Sequence, residues 1–238
     1  MGRIKRYRTA WSRHHRSGGF GIHSPFAFSF VQNVIGERYL YYSYAQIAKW
    51  RAMTRQANGR WQRPPVIKRH SAELLFRIAN FFNPAHLLVV GGRDGVAAAS
   101  VKLVSTKSTL FFYAPHFNHD KVQQDLLHSF GGKLRCFSGI GECLKSYAAQ
   151  VANDEIPFVL IDEMCDEMEY DAVKSAVLPM ACHKGVIIVR NLIGNALNAR
   201  LWKDCCESAQ RGQSYTNDKT GILIVNPKLQ REHFTLWL

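Results

Sequence analysis

The sequence has no apolar run near the roughly 20 residues that a membrane-crossing helix requires; the longest, such as 87–90 and 185–189, are strand-sized. A helical span is thereby excluded. The start, MGRIKRYRTAWSRHHRSGG, is basic but lacks the hydrophobic region and small-residue cleavage site of a secretory leader, so a soluble, cytoplasmic protein is expected. The six cysteines (Cys136, Cys143, Cys165, Cys182, Cys205, Cys206) contain no CxxC pair and no histidines at finger spacing. That argues against a zinc site or a disulfide framework and leaves free, mostly buried thiols as the expectation. Gly91, Gly92 and Gly95 do not make G-x-G-x-x-G, so a dehydrogenase-type turn fits poorly. Internal repeats and low-complexity segments are missing too. Acid is scarce at one end: residues 1–72 hold Glu37 alone against 14 of the 31 Lys and Arg.

What is present begins with that asymmetry. The formal charge of +13 lies entirely in the first 72 residues, and the remainder is balanced. Such a segment suits an anionic partner, whether nucleic acid, a lipid head group or a phosphorylated substrate, and a merely solvated extension accounts for it equally well. Residues 1–19 read as a basic tail, 20–70 as a helical cap and 71–238 as an α/β domain. In the cap, Ser24 can close a helix N-terminus and Pro25 suits its first position. Phe26, Phe30, Val31, Val34 and Ile35 then recur at helical spacing. A second helix is expected over 44–54, followed by an exposed loop over 55–65.

From Ser71 the pattern becomes regular. Leu74, Leu75, Ile78, Phe81 and Phe82 form one helical face that stops at Pro84, and 86–90 read as a buried strand. Helix resumes near Gly95, and further strands are expected at 109–113, 134–137, 156–161 and 186–189, with helices around 122–130, 173–180 and 195–210. Apolar strands alternating with helices predict a parallel sheet covered on both faces. The alternation then breaks: 221–225 and 233–238 are strands joined by too short a link for a crossover, so they are expected to pair as an antiparallel hairpin.

This order resembles the Rossmann-like fold of class I S-adenosylmethionine-dependent methyltransferases. Three segments, GIHSPFAF (21–28), LLFRIANFF (74–82) and REHFTLWL (231–238), are similar to a bacterial family of uncharacterised methyltransferases that carry an HSPF segment ahead of the catalytic domain. The resemblance implies S-adenosylmethionine at the C-terminal ends of the parallel strands and an unnamed methyl acceptor. It places Gly91, Gly92, Asp94 and Gly95 in the cofactor turn, Tyr113 at the end of the second strand, and Ile140 after the third. Asp162, at the end of the fourth strand, is implied as a cofactor contact and the first candidate for a catalytic base. His23 is the second.

The sequence also departs from that family. Val89 stands where the family has an acid before the turn, FFYAP (111–115) offers no carboxylate for the ribose, and Ile140 replaces an Asp or Asn. Hydrogen bonds to charged groups contribute about 1.5 to 3 kcal/mol, so one lost carboxylate weakens binding roughly ten- to hundredfold. Asp94 and Glu142 are the nearby candidates for compensation. Arg190 and Asn191 replace the paired aspartates of metal-dependent relatives, so no metal site is expected. Arg190 is instead expected to pair with Asp162. The acidic run DEMCDEMEYD (162–171) reads as a loop leading into a helix start. Two functions follow from these residues: a methyltransferase with degraded cofactor motifs, or a non-catalytic protein of the same fold whose pocket is blocked by Phe112, Tyr113 or Arg190.

Overall fold

The computed structural model describes residues 21–57, 66–92, 95–115, 129–130 and 133–238. The basic tail, the loop after residue 57, the helix expected around 122–130 and Asp94 lie wholly or largely outside the described residues.

Five strands form the parallel core: β1 (His86–Val90), β2 (Thr109–Tyr113), β3 (Leu134–Phe137), β4 (Phe158–Ile161) and β5 (Gly185–Val189). All but the edge strand β3 are buried at nearly every residue, as a sheet covered on both faces requires. In register, Val90 lies beside Tyr113 and Ile161, and Ile161 beside Val189.

Seven helices flank the strands among the described residues. They are α1 (Pro25–Phe30), running on into a π-helical turn (Val31–Ile35), α2 (Ser43–Ala57), α3 (Arg69–Phe82), α4 (Val96–Lys102), α5 (Ile140–Ala148), α6 (Glu167–Cys182) and α7 (Ala196–Ser208). Alternation along each strand splits the core in two. Leu87, Val89, Leu110, Phe112 and Leu160 pack with α1, α3 and α4 on one face. Leu88, Val90, Phe111, Tyr113 and Ile161 pack with α5, α6 and α7 on the other.

Local signals set the helix ends. The Ser24 hydroxyl accepts from the Ala27 amide with Pro25 in the first turn. α3 ends on Asn83 in the left-handed region at φ 43°, just before Pro84. Asp166 caps α6 by accepting from the Glu169 amide, and Asn195 caps α7 by accepting from the Asn198 amide. The described residues of 20–70 share their core with the sheet. Ala27, Phe30, Val34 and Ile47 share one cluster with Leu75 and Tyr215. Arg77 of α3 fixes the cap by donating to the Val34 carbonyl at 2.6 Å and to the Tyr44 hydroxyl at 3.1 Å.

The C-terminal antiparallel hairpin is present, but its members differ from those expected. It consists of β6 (Gln213–Thr216) and β7 (Gly221–Val225), whereas β8 (Glu232–Thr235) lies parallel to β6 at the edge. The full order is β3-β2-β1-β4-β5-β7-β6-β8, with β7 antiparallel to β5. QSYT carries no apolar alternation, which hides β6 in the sequence. All four of its residues are nonetheless buried, because their polar groups find partners inside. Gln213 Nε2 donates to Ser24 Oγ and to Glu232 Oε2, both at 2.7 Å, and its Oε1 accepts from the Tyr215 hydroxyl at 2.6 Å.

The thiols also differ from expectation. Only Cys143 and Cys205 are buried; Cys136, Cys165 and Cys182 are exposed and Cys206 is half-buried. Burial pushes the thiols of Cys143 and Cys205 up to about 12.

Candidate functional site

The parallel strands place three residues side by side at their C-terminal ends. The sheet ladder continues one step past each strand: the Gly91 amide donates to the Tyr113 carbonyl at 2.7 Å, Asp162 to Val90 at 2.8 Å and Arg190 to Ile161 at 2.9 Å. Gly91, Asp162 and Arg190 therefore lie along the edge where β1 and β4 diverge towards different helices. This is the switch point at which open α/β sheets form a crevice.

Gly91, Gly92 and Gly95 have φ of 78°, 104° and 67°, a backbone region that side-chain-bearing residues rarely adopt. The first two are needed for close approach as well. A Cβ on Gly91 would lie 2.0 Å from the Glu163 carbonyl oxygen, and one on Gly92 would lie 3.1 Å from Asp162 Oδ2. Part of the closeness of this turn is thus directed at the β4–α6 loop of the protein itself.

Asp162 does not stand free. Its carboxylate pairs with the Arg190 guanidinium across the two neighbouring strands, with side chains 15% and 16% exposed, so the ion pair expected from the sequence is present. Two asparagines hold this arrangement, and the sequence analysis did not single them out. Asn198 is fully buried; its Nδ2 donates to the carbonyls of Asp162 at 3.0 Å and Arg190 at 2.7 Å, and its Oδ1 accepts from the Met164 amide at 3.2 Å. Asn195 adds a bond from its Nδ2 to the Met164 carbonyl at 2.7 Å. An Asn three residues after a cap Asn was the available signal, but only the tertiary structure shows that the second one turns back over the loops.

Tyr113 is buried, and its hydroxyl donates to Glu169 Oε1 at 2.6 Å. Glu169, itself 3% exposed, accepts the Cys165 amide on its other oxygen at 2.7 Å. Burial, reinforced by the Glu169 carboxylate, pushes the Tyr113 hydroxyl well above the usual tyrosine range. The acidic run therefore divides: Asp166 and Glu167 begin a helix as expected, while Glu169 turns inward to bind Tyr113. Val89 lies in the α3/α4 core and Ile140 is buried at the start of α5, in the same core cluster as Tyr113. Next to Ile140, Gly139 and Gly141 have open space where a side chain would be. Glu142 is exposed in the first turn of α5.

Of the expected site residues, Gly91, Gly92, Gly95, Tyr113, Ile140 and Asp162 gather at one end of the sheet. His23 does not join them. Its neighbour Ser24 bonds to Gln213, the first residue of β6, which runs parallel to β5 and so begins at the opposite end. His23, the second candidate base, therefore lies with the HSPF segment at the other end of the strands from Asp162, the first. Of the three blocking residues considered, Phe112 points into the α3/α4 core, while Tyr113 and Arg190 are held at the crevice end.

Among the described residues, no group of three or more His, Cys, Asp and Glu side chains is placed to hold a metal ion. Nor, among them, is any helix long and apolar enough to cross a membrane.

No family model matches the chain, and no curated protein does. Solved structures do. A methyltransferase from Podospora anserina, PaMTH1, bound to S-adenosylhomocysteine, superposes with a TM-score of 0.53 over 95% of this chain and 97% of its own at 13% identity. A methyltransferase from Geobacter sulfurreducens gives 0.52 over 79% and 92% at 15% identity. The O-methyltransferase TomG from Streptomyces achromogenes, in complex with S-adenosylmethionine, gives 0.51 over 79% and 92% at 11% identity. At such identities the likeness is one of fold: the chain has the Rossmann-like α/β architecture of class I methyltransferases, with a mostly parallel sheet and an antiparallel hairpin towards its C-terminal end.

Proposed function

We propose that this chain is a methyltransferase that takes its methyl group from S-adenosylmethionine. The observation that carries the reading is the turn of three positive-φ glycines after β1, beside the β1/β4 switch point. The backbone and apolar parts of the crevice fit such a cofactor. The Gly91 to Gly95 turn would receive it, with Ile140 and the uncrowded Gly139 and Gly141 beside the adenine. The carboxylate parts fit less well, because Val89 is in the core and Tyr113 and Asp162 are engaged with Glu169 and Arg190. Bound, the cofactor supplies an electrophilic sulfonium methyl. The chain's part is then to hold an acceptor atom in line with it.

A second reading, a non-catalytic protein of the same fold, draws on a specific observation: the Asp162–Arg190 pair and the packing of Gly91 and Gly92 against residues 162–163 fill space at the crevice from within. Calorimetric titration and thermal melting with S-adenosylmethionine and S-adenosylhomocysteine separate the two. Saturable heat and a melting temperature that rises with ligand are expected for the methyltransferase. Neither effect at millimolar ligand leaves the non-catalytic protein.

A further inference from the structure

A hollow between α3, the end of β5 and the turn joining β6 to β7 shares Arg190 with the edge of the crevice. Leu74, Leu75 and Ile78 of α3, with Leu238, give it an apolar wall; Ser71, Arg190, Asn217 and Thr220 give it a polar one. Other buried polar groups, such as those of Gln213 and Asn198, meet partners from within the chain. Around this hollow they do not. Arg190 gives Nη1 to Asp162, and although its side chain is only 16% exposed, its Nε and Nη2 have no partner among the described residues. The hydroxyls of Ser71 and Thr220 have none among them either.

These groups are held in place. Val189 pairs with Gly221 in the antiparallel ladder of β5 and β7, which brings the next residues, Arg190 and Thr220, side by side. Asn217 fixes the turn that carries Thr220: its Oδ1 accepts from the amides of Lys219 at 3.0 Å and Thr220 at 2.8 Å, and its Nδ2 donates to the Leu238 carbonyl at 3.4 Å. The backbone carbonyl of Arg190 is tied to Asn198 at 2.7 Å. Nε and Nη2 form one edge of a guanidinium, with two parallel donors spaced for the two oxygens of a carboxylate. The two hydroxyls can donate to the lone pairs that such a carboxylate keeps free, and the leucine and isoleucine wall accepts carbon rather than charge. Asp162 offsets part of the guanidinium charge, so a singly charged planar head suits the place better than a phosphate dianion.

We propose that this hollow is a binding site for a small molecule that carries a carboxylate on a short apolar body. The proposal goes beyond the methyltransferase reading and holds whether or not a cofactor binds in the crevice. The test is titration of the full chain with benzoate and with benzamide, followed by saturation-transfer difference NMR. Benzoate is expected to saturate in the low millimolar range, as roughly suits a ligand of its size, and benzamide, which keeps the ring and carbonyl but not the charge, to bind about tenfold more weakly. The double variant S71A/T220V alters two half-exposed hydroxyls, so it should keep the circular dichroism and melting temperature of the parent and bind benzoate about tenfold more weakly. R190K keeps a cation beside Asp162 but loses the fork, and about the same loss is expected. No saturable benzoate signal up to about 20 mM overturns the proposal, as does equal binding of benzamide by the parent chain, a comparison that needs no variant. Unaltered benzoate binding by folded S71A/T220V or R190K overturns it equally.

Discussion

The two ends of the sheet answer the same problem, a polar group placed among apolar strands, in different ways. At the N-terminal end, Ser24, Gln213, Tyr215 and Glu232 form a closed neutral-to-acid network in which two segments far apart in the chain, HSPF and EHFT, meet through one glutamine. At the C-terminal end, Asp162 is met by a charge, Arg190, and the surrounding loops are tied by Asn198. The first network joins the cap to the sheet edge. The second occupies the place where this fold has its crevice. The segments that carried the family resemblance therefore include a structural joint, and at the other end Asp162 is met by a partner from within the chain.

Substitutions test this contrast. The largest effect is expected from Gly91→Ala, since the new methyl meets the Glu163 carbonyl at 2.0 Å and the backbone is left-handed there. A loss of about 3 kcal/mol or more in urea unfolding is expected; a loss below about 1 kcal/mol would mean that the two loops separate freely.

Next come Arg190→Ala and Gln213→Ala, each leaving a largely buried polar partner unmet and each expected to cost about 1 to 3 kcal/mol. They should differ in their effect on ligand. Arg190→Ala releases Asp162 and is expected to change the affinity for S-adenosylhomocysteine, whereas Gln213→Ala, at the far end, should leave it unchanged. Identical ligand responses from both variants would remove the functional distinction between the two ends. The smallest effect is expected from Ser24→Ala, which removes a helix cap and one acceptor of Gln213 and should cost about 1 kcal/mol in the same unfolding measurement.

Much of the fold was legible because it is written in local patterns. The apolar runs at 86–90, 109–113 and 156–161, the cap at Ser24 and Pro25 and the stop at Pro84 each act within a few residues. The Asp162–Arg190 pair was legible too, because neighbouring parallel strands bring their ends together. β6 was not. QSYT has no hydrophobic alternation, and its burial depends on Ser24 and Glu232, which lie 189 and 19 residues from Gln213. The binding of Tyr113 to Glu169 escaped for the same reason, being set by how the first turn of α6 meets the end of β2 in space rather than by either segment.

The sequence by itself determined the alternation of strands and helices, the glycine turn and the charge of the first 72 residues, since periodicity, backbone freedom and charge are properties of residues and near neighbours. Only the tertiary structure decided which polar groups meet: that Asn198 bridges two loops, that His23 lies away from Asp162, and that Tyr39, Leu40 and Tyr42 face outward around an inward Tyr41. A buried hydrogen bond requires its partner within about 3 Å, and which partner arrives there depends on how whole elements pack against one another.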